Sequence, residues 1–157
     1  MKKGEKKSGF TIIEVSLVLA IAGLIFLMVF IALPQLQRSQ RDSRRRDDIL
    51  SLLETVKKYQ TNNRGALPTD WKGDFAEKYL GDSFVDPDGV AYTLSAQECV
   101  NNGNGNCNYT EPQFVDYILY VFTKATCNGE TAVPTSNPRK VAVVYKLEGA
   151  GIYCANT

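Results

Sequence analysis

The chain has 157 residues, of which 44% are hydrophobic and 22% charged, and its formal net charge is +1. These proportions are typical of a folded protein and argue against bulk disorder. The near-neutral charge gives no indication of nucleic-acid binding. The chain contains no histidine, so the commonest general base and the commonest metal ligand are missing. We therefore expect neither an enzyme nor a bound cofactor.

A short basic segment begins the chain, in which Lys2, Lys3, Lys6 and Lys7 outnumber Glu5. Positive charge before an apolar segment keeps the N-terminus in the cytoplasm and sends the following residues outward. The apolar segment is the run Phe10–Leu33, about 24 residues that would cross ~30 Å of hydrocarbon as a helix. It is too long for the core of a cleavable secretory signal, which spans only about 7 to 15 residues.

A glutamate, Glu14, interrupts this apolar run near its start. An ionised carboxylate in hydrocarbon costs several kcal/mol unless a cation or hydrogen-bond donor pairs with it. A single-span membrane anchor would explain the run but not the acid, unless Glu14 extends to the lipid headgroups. We therefore treat Glu14 as a candidate functional residue that needs a partner.

The stretch "KKSGFTIIEVSLVLAIAGLI" resembles the N-terminus of a type IV pilin or pseudopilin. In that family a basic leader ends in glycine, and a dedicated peptidase cuts between this glycine and a phenylalanine. The new N-terminus is then methylated, and a glutamate follows in the first helical turn. Gly9, Phe10 and Glu14 stand at the matching positions. The resemblance implies cleavage after Gly9 and N-methylation of Phe10 by a prepilin peptidase and methyltransferase.

The resemblance also implies a partner for Glu14, namely the amine that cleavage creates on Phe10 of a neighbouring copy. Such a pair would set the axial register of a helical homopolymer, assembled by an inner-membrane platform. The precursor would lie in the cytoplasmic membrane, and the filament would be extracellular. Many members have a proline about two turns after the central glycine, whereas here Gly23 is followed only by Pro34. We expect the helix to be disrupted between these two residues, to an extent that the sequence leaves open.

Beyond the apolar run, "PQLQRSQRDSRRRDD" is polar on all sides. Helical spacing places three pairs of opposite charges at i,i+4, namely Arg38 with Asp42, Asp42 with Arg46, and Arg44 with Asp48. The charges form either a solvated helix face or pairs between subunits. The next turns carry an apolar stripe that predicts a helix packed on a core, made of Ile49, Leu52, Leu53, Val56 and Tyr59. The helix should end near "NNRGALP".

The second half of the chain predicts strands in "VAYTLS", "VDYILYVFTK", "KVAVVYKL" and "GIYC", because these stretches are rich in β-branched and aromatic residues. In the third of them Val141, Val143, Tyr145 and Leu147 alternate as in a half-buried strand. A short helix near Asp74–Leu80 precedes the strands. We predict an α+β fold, in which a long N-terminal helix packs its second half against a small antiparallel sheet. The pilin head has this form by resemblance.

All four cysteines lie in the second half of the chain, without the spacing of a zinc or thioredoxin site. An even number in a small domain indicates two disulfides and an oxidising, extracytoplasmic compartment. Three pairings are possible. We favour Cys99 with Cys107 across "CVNNGNGNC", which leaves Cys127 with Cys154.

The segment "DSFVDPDG" brings Asp82, Asp86 and Asp88 close together and offers a weak candidate for Ca²⁺. A turn before a strand explains the same residues without a metal, and we favour the turn. Asn108–Thr110 also fits a glycosylation sequon, a pattern that is frequent by chance.

The predicted organisation is a basic leader at 1–9, an apolar helix at 10–33, its continuation at 34–63 and a disulfide-bonded head at 64–157. The function expected from the resemblance is that of a type IV pilus subunit, serving adhesion or twitching motility. The alternatives are a pseudopilin of a secretion or competence system, and an uncleaved membrane-anchored domain. No nucleic-acid partner is predicted. The sequence leaves the adhesion target, retraction and the choice between major and minor subunit open.

Overall fold

The computed structural model describes residues 9–81, 84–101, 103–108, 115–149 and 151–157. The basic residues of the predicted leader lie outside the described residues, as do Asp82 and the last two residues of the sequon. The chain divides into two compact units, Met1–Arg38 and Ser39–Thr157. Helix α1, Ile12–Asn62, contributes its first part to one unit and its second part to the other.

The first unit is the apolar part of α1. Its large hydrophobic side chains are all substantially exposed, from 49% at Val15 to 89% at Ile12. By length and composition this helix could cross a membrane. Within the described residues of this unit, no side chain is buried.

Helix α1 continues through both Gly23 and Pro34, so the disruption expected between these residues is absent from the structure. Proline lacks the N–H that would bond to the carbonyl one turn earlier, so one helical hydrogen bond is lost there. The neighbours of Pro34 include leucine and glutamine, which favour the helix, and the backbone keeps its helical conformation on both sides.

The second unit contains a four-stranded sheet and a two-stranded hairpin. The sheet is formed by β1 (Thr93–Glu98), β2 (Ile118–Thr123), β5 (Val141–Lys146) and β6 (Ile152–Asn156), in the order β1-β2-β5-β6. The hairpin is formed by β3 (Ala125–Asn128) and β4 (Thr131–Pro134), which the sequence did not predict. The predicted α+β fold, with a long helix before a small sheet, is confirmed.

One pair of strands departs from the predicted antiparallel arrangement, because β1 and β2 run parallel. The pairs β2–β5 and β5–β6 are antiparallel. Parallel neighbours cannot be joined by a tight hairpin, and the connection between β1 and β2 accordingly spans residues 99–117. The long insertion with the first two cysteines therefore makes the crossover possible.

The predicted apolar stripe of α1 forms the main core, as expected. Ile49, Leu52, Leu53 and Val56 are buried against one face of the sheet, where they meet Leu94, Leu119, Val121, Val141 and Val143. Phe75 joins this core just before a short π-helical turn, Ala76–Leu80, and its ring packs edge-on against Tyr59 at 5.6 Å. Helix α1 itself ends in a left-handed turn, with φ of 56° at Arg64 and 86° at Gly65.

Strand β5 is buried on both faces, whereas the sequence predicted a half-buried strand. The face of the sheet opposite α1 carries Phe122 of β2 with Ala142 and Val144 of β5. The β3–β4 hairpin covers this face through Ala125 and Ala132. The alternation was therefore correct, but the second layer was not foreseen. Its strands are four residues each, too short to give a clear pattern.

The two disulfides join Cys99 to Cys107 and Cys127 to Cys154, the pairing favoured from the sequence. The first closes the loop that follows β1. The second ties β3 of the hairpin to β6 of the sheet, so it fastens the covering layer to the layer that it covers.

Candidate functional site

The predicted cleavage junction lies immediately before the start of α1. Gly9 and Phe10 are exposed and not helical, and the Phe10 side chain is 88% exposed. Helix α1 begins at Ile12, which makes Thr11 its N-cap. The junction is therefore accessible and lies outside the helix, and the candidate residue Glu14 lies in the first turn that follows.

Thr11 and Glu14 form a reciprocal pair at this helix start. The backbone N–H and the hydroxyl of Thr11 donate to Glu14 Oε2 at 3.3 and 3.1 Å. In return the backbone N–H of Glu14 donates to Thr11 Oγ1 at 3.3 Å. This is a capping box, in which two of the unpaired N–H groups at a helix start are satisfied. Its signature, Thr-x-x-Glu, stands in the sequence but was missed there, because Glu14 was considered only as a charge in a membrane.

The capping box gives Glu14 a partner inside its own chain and places its charge at the positive end of the helix dipole. The two bonds from Thr11 both use Oε2. Among the described residues, no hydrogen bond reaches Oε1. The carboxylate is therefore held in position, with one oxygen available to an external cation.

A second group of charges lies inside the head, around Arg45. The guanidinium donates to both carboxylate oxygens of Asp86, at 2.8 and 3.1 Å, and to Asp88 at 3.0 Å. It also donates to Asp42 at 3.2 Å. Arg45 is 6% exposed and Asp86 only 1%, so these charges depend on each other for stabilisation.

Asp42 and Arg41 extend this ion cluster to the turn between β5 and β6. The carboxylate of Asp42 accepts the backbone N–H groups of Glu148 and Gly149, both at 2.9 Å. The Arg41 guanidinium makes a bidentate pair of hydrogen bonds with the Glu148 carboxylate, at 2.6 and 2.9 Å. The cluster thus fastens one stretch of α1 to two separate turns of the head.

The ionisation of the cluster follows from these contacts. Burial alone would raise the pKa of Asp86, but hydrogen bonds from Arg45 and from the Asp88 backbone, with the charge of Arg45, lower it overall. The hydrogen bond to Asp86 raises the pKa of Arg45 despite burial. Asp48 differs, because burial raises its pKa although Tyr92 donates a hydrogen bond to it at 3.0 Å.

The ion cluster corrects one expectation from the sequence and shows what two residues of the weak Ca²⁺ candidate contact. Asp42 and Arg45 were placed on a solvated face or between subunits, yet both are buried within one head. The acidic segment was a weak candidate for Ca²⁺, yet Asp86 and Asp88 contact Arg45. Among the described residues, no group of three or more metal-ligating side chains is present.

The predicted turn at this segment is confirmed. The N–H of Gly89 donates to the Asp86 carbonyl at 2.7 Å, with Pro87 at the second position of the turn. Gly89 has φ of 83°, a conformation that glycine adopts without strain. The Asp88 N–H donates to Asp86 Oδ1 at 3.0 Å. The Asp86 carboxylate therefore stabilises the turn in addition to binding the Arg45 guanidinium.

The fold and the two sites define an α+β protein with an exposed, apolar N-terminal helix and a disulfide-bonded head. Comparison of the chain with protein-family models, curated protein sequences and solved structures found no match.

Proposed function

We propose that this protein is a type IV pilin precursor, cleaved after Gly9, methylated at Phe10 and polymerised through the first part of α1. The observation that carries the proposal is the order of features at the helix start. An exposed, non-helical Gly9–Phe10 junction is followed at once by the Thr11–Glu14 capping box and then by an apolar helix with its large side chains exposed.

The exposed apolar helix supports assembly because a surface of this size has to be covered by lipid or by protein. The same side chains can face hydrocarbon in the precursor and other helices in a filament. Lipid tails and helix neighbours are comparably apolar, so leaving the membrane for a filament costs less than transfer to water. The mechanism is thus packing, without a chemical step after processing.

The capping box supports a register role for Glu14. Cleavage would create an amine on Phe10, and a neighbouring copy could present this amine to the Oε1 of Glu14. In a low dielectric the pair attracts strongly, whereas either charge alone is heavily penalised. Packing at the correct axial offset would satisfy both charges, and other offsets would leave both unpaired.

The second candidate is a pseudopilin of a secretion or competence system. The Asp86–Gly89 turn favours it, because this segment resembles the Asp-Pro-x-Gly segment of secretion-system pseudopilins. The closed Cys99–Cys107 loop and the second disulfide favour the pilin, since an extracellular filament benefits from covalent reinforcement of its heads.

The proposal is tested on a sheared surface fraction of producing cells, by intact mass and electron microscopy. Filaments built from a protein that begins at methylated Phe10 are the expected result. Short fibres confined to the cell envelope would support the pseudopilin. Abundant full-length monomer in the membrane, with the leader intact, would overturn both in favour of an uncleaved membrane-anchored domain.

A further inference from the structure

Among the described residues of the loop closed by Cys99 and Cys107, the side chain of Asn101 organises the backbone. Asn101 Oδ1 accepts the backbone N–H of Gly103 at 2.9 Å and that of Gly105 at 3.1 Å. Both glycines have positive φ, 91° and 84°, so the chain curls around the Asn101 amide. Asn101 thus replaces solvent as the acceptor for two backbone donors.

Backbone hydrogen bonds hold the two ends of the loop. Asn101 pairs with Cys107 across an antiparallel bridge, and the N–H of Asn108 donates to the Val100 carbonyl at 2.9 Å. The N–H of Cys107 donates to Ala132 of strand β4 at 2.8 Å. With the disulfide, these contacts hold Asn101 beside the two glycines.

Asn104 and Gly105, both exposed in this loop, form a dipeptide with a known chemical reactivity. The backbone nitrogen of Gly105 can attack Cγ of the Asn104 side chain, because glycine offers no Cβ to obstruct ring closure. The new N–Cγ bond forms as the Cγ–Nδ2 bond breaks, and Nδ2 leaves as ammonia with the proton from Gly105. Water then opens the cyclic imide to aspartate or isoaspartate, which adds a negative charge.

We propose that Asn104 is a deamidation site which Asn101 and the Cys99–Cys107 disulfide hold in check. The attacking nitrogen must lose the proton that it now donates to Asn101, and it must move toward the Asn104 side chain. Both steps break a hydrogen bond that the closed loop maintains. Opening of the disulfide, or loss of the Asn101 acceptor, therefore releases an irreversible change of charge on the head.

The test follows deamidation of the purified full-length protein at mildly alkaline pH, by peptide mapping that resolves Asn104. Asn101→Ala removes the acceptor, whereas Asn101→Asp keeps an oxygen at the same place and is the matched control. We expect Asn104 to react about fivefold faster in Asn101→Ala than in the wild type, and no faster in Asn101→Asp. Equal rates in wild type and Asn101→Ala would overturn the proposal.

A second variant, Cys99→Ser with Cys107→Ser, opens the loop and leaves Cys127–Cys154 intact. It should also accelerate the reaction at Asn104. The Asn128–Gly129 pair, which is exposed at the tip of the β3–β4 hairpin, is the internal control. A general loss of stability would accelerate deamidation at Asn128 as well. Acceleration at Asn104 without acceleration at Asn128 supports the proposal, whereas equal acceleration at Asn104 and Asn128 would show global loosening and overturn it.

Discussion

The two units of this chain differ in how they deal with apolar surface. In the second unit α1 covers one face of the sheet and the β3–β4 hairpin covers the other, so β5 is buried on both sides. In the described part of the first unit, the apolar side chains of α1 remain exposed. The head therefore completes its own core, whereas the apolar helix requires lipid or other chains. Substitutions should accordingly alter assembly in the first unit and stability in the second.

The largest effect is expected at Glu14. Glu14→Gln keeps the capping box, since glutamine also serves at this position, but removes the charge. Because loss of one partner of a buried ion pair costs about 3–5 kcal/mol, we expect filament yield in the sheared fraction to fall below detection. Thr11→Ala, which loses about 1 kcal/mol of helix capping but keeps the charge, should still assemble.

The amount of each Glu14 and Thr11 variant in the membrane is the control, and it should equal that of the wild type. Normal filaments from Glu14→Gln would show that the charge is dispensable and that capping alone explains the residue. Normal filaments from Glu14→Lys would contradict the pairing with an amine even more directly.

Arg45 should be the most sensitive position of the head. Arg45→Met keeps most of the side-chain volume but leaves Asp86 buried without its cation, and the expected loss of unfolding free energy is about 3–5 kcal/mol. Arg41→Met is the matched control, because its ion pair with Glu148 is part-exposed and screened by solvent, so its loss should lower the stability far less. Urea unfolding of the full-length protein in detergent measures both. Equal losses would refute a central role for Arg45.

The disulfides should rank next, in the order of the loops that they close. Cys127 and Cys154 are 27 residues apart, Cys99 and Cys107 only 8. From loop entropy, replacing Cys127 and Cys154 by alanine should lower the free energy of unfolding by about 3.5 kcal/mol. Replacing Cys99 and Cys107 should lower it by about 2.5 kcal/mol. Urea midpoints of the two double variants test the order, and the reverse order would mean that strain or packing outweighs entropy.

Acid should weaken the head through Asp86. Its folded pKa lies below the ordinary value of 3.8, so its contribution is complete above that pH and disappears as the pH falls through the folded pKa. Urea midpoints should therefore drop steeply below about pH 4 in the wild type. The drop should be shallower in Arg45→Met, where the stabilising cation is gone. An unchanged profile in this variant would assign the acid sensitivity to other carboxyls.

Asp48 should show a small effect of opposite sign. Its folded pKa is raised, so its contribution is complete below the ordinary pKa and is lost as the pH rises through the folded value. Asp48→Asn removes the charge and keeps an oxygen for the Tyr92 hydroxyl. We expect a slightly higher urea midpoint at neutral pH and little change in acid; a lower midpoint at neutral pH would contradict the argument.

Much of the fold could be predicted because its signals are local. The apolar stripe around Ile49, the turn at Asp86–Gly89 and the short cysteine loop each depend on residues within a few positions of each other. By contrast, Asp86 and Glu148, to which the Arg45 guanidinium also donates, lie 41 and 103 residues away along the chain, and no periodic pattern predicts such pairs. The parallel β1–β2 pair likewise depends on a crossover rather than on either strand.

The candidate site shows a different limit. Gly9, Phe10 and Glu14 were recognised from a resemblance, and that interpretation directed attention to charge. The capping signature, Thr-x-x-Glu at residues 11–14, ends on the same glutamate and requires only local geometry. A residue can thus carry two roles, and the sequence pattern that indicates one can conceal the other.

The attachment of α1 to the turn between β5 and β6 has a practical consequence for labelling this protein. Asp42 holds the backbone of Glu148 and Gly149, so an epitope or fluorophore inserted there would pull on the helix. Ser136, Asn137 and Pro138, between β4 and β5, are exposed and take no part in the contacts that form the ion cluster. Polar, exposed connections of this kind tolerate insertions best, which makes this segment the preferred place for a tag on this protein.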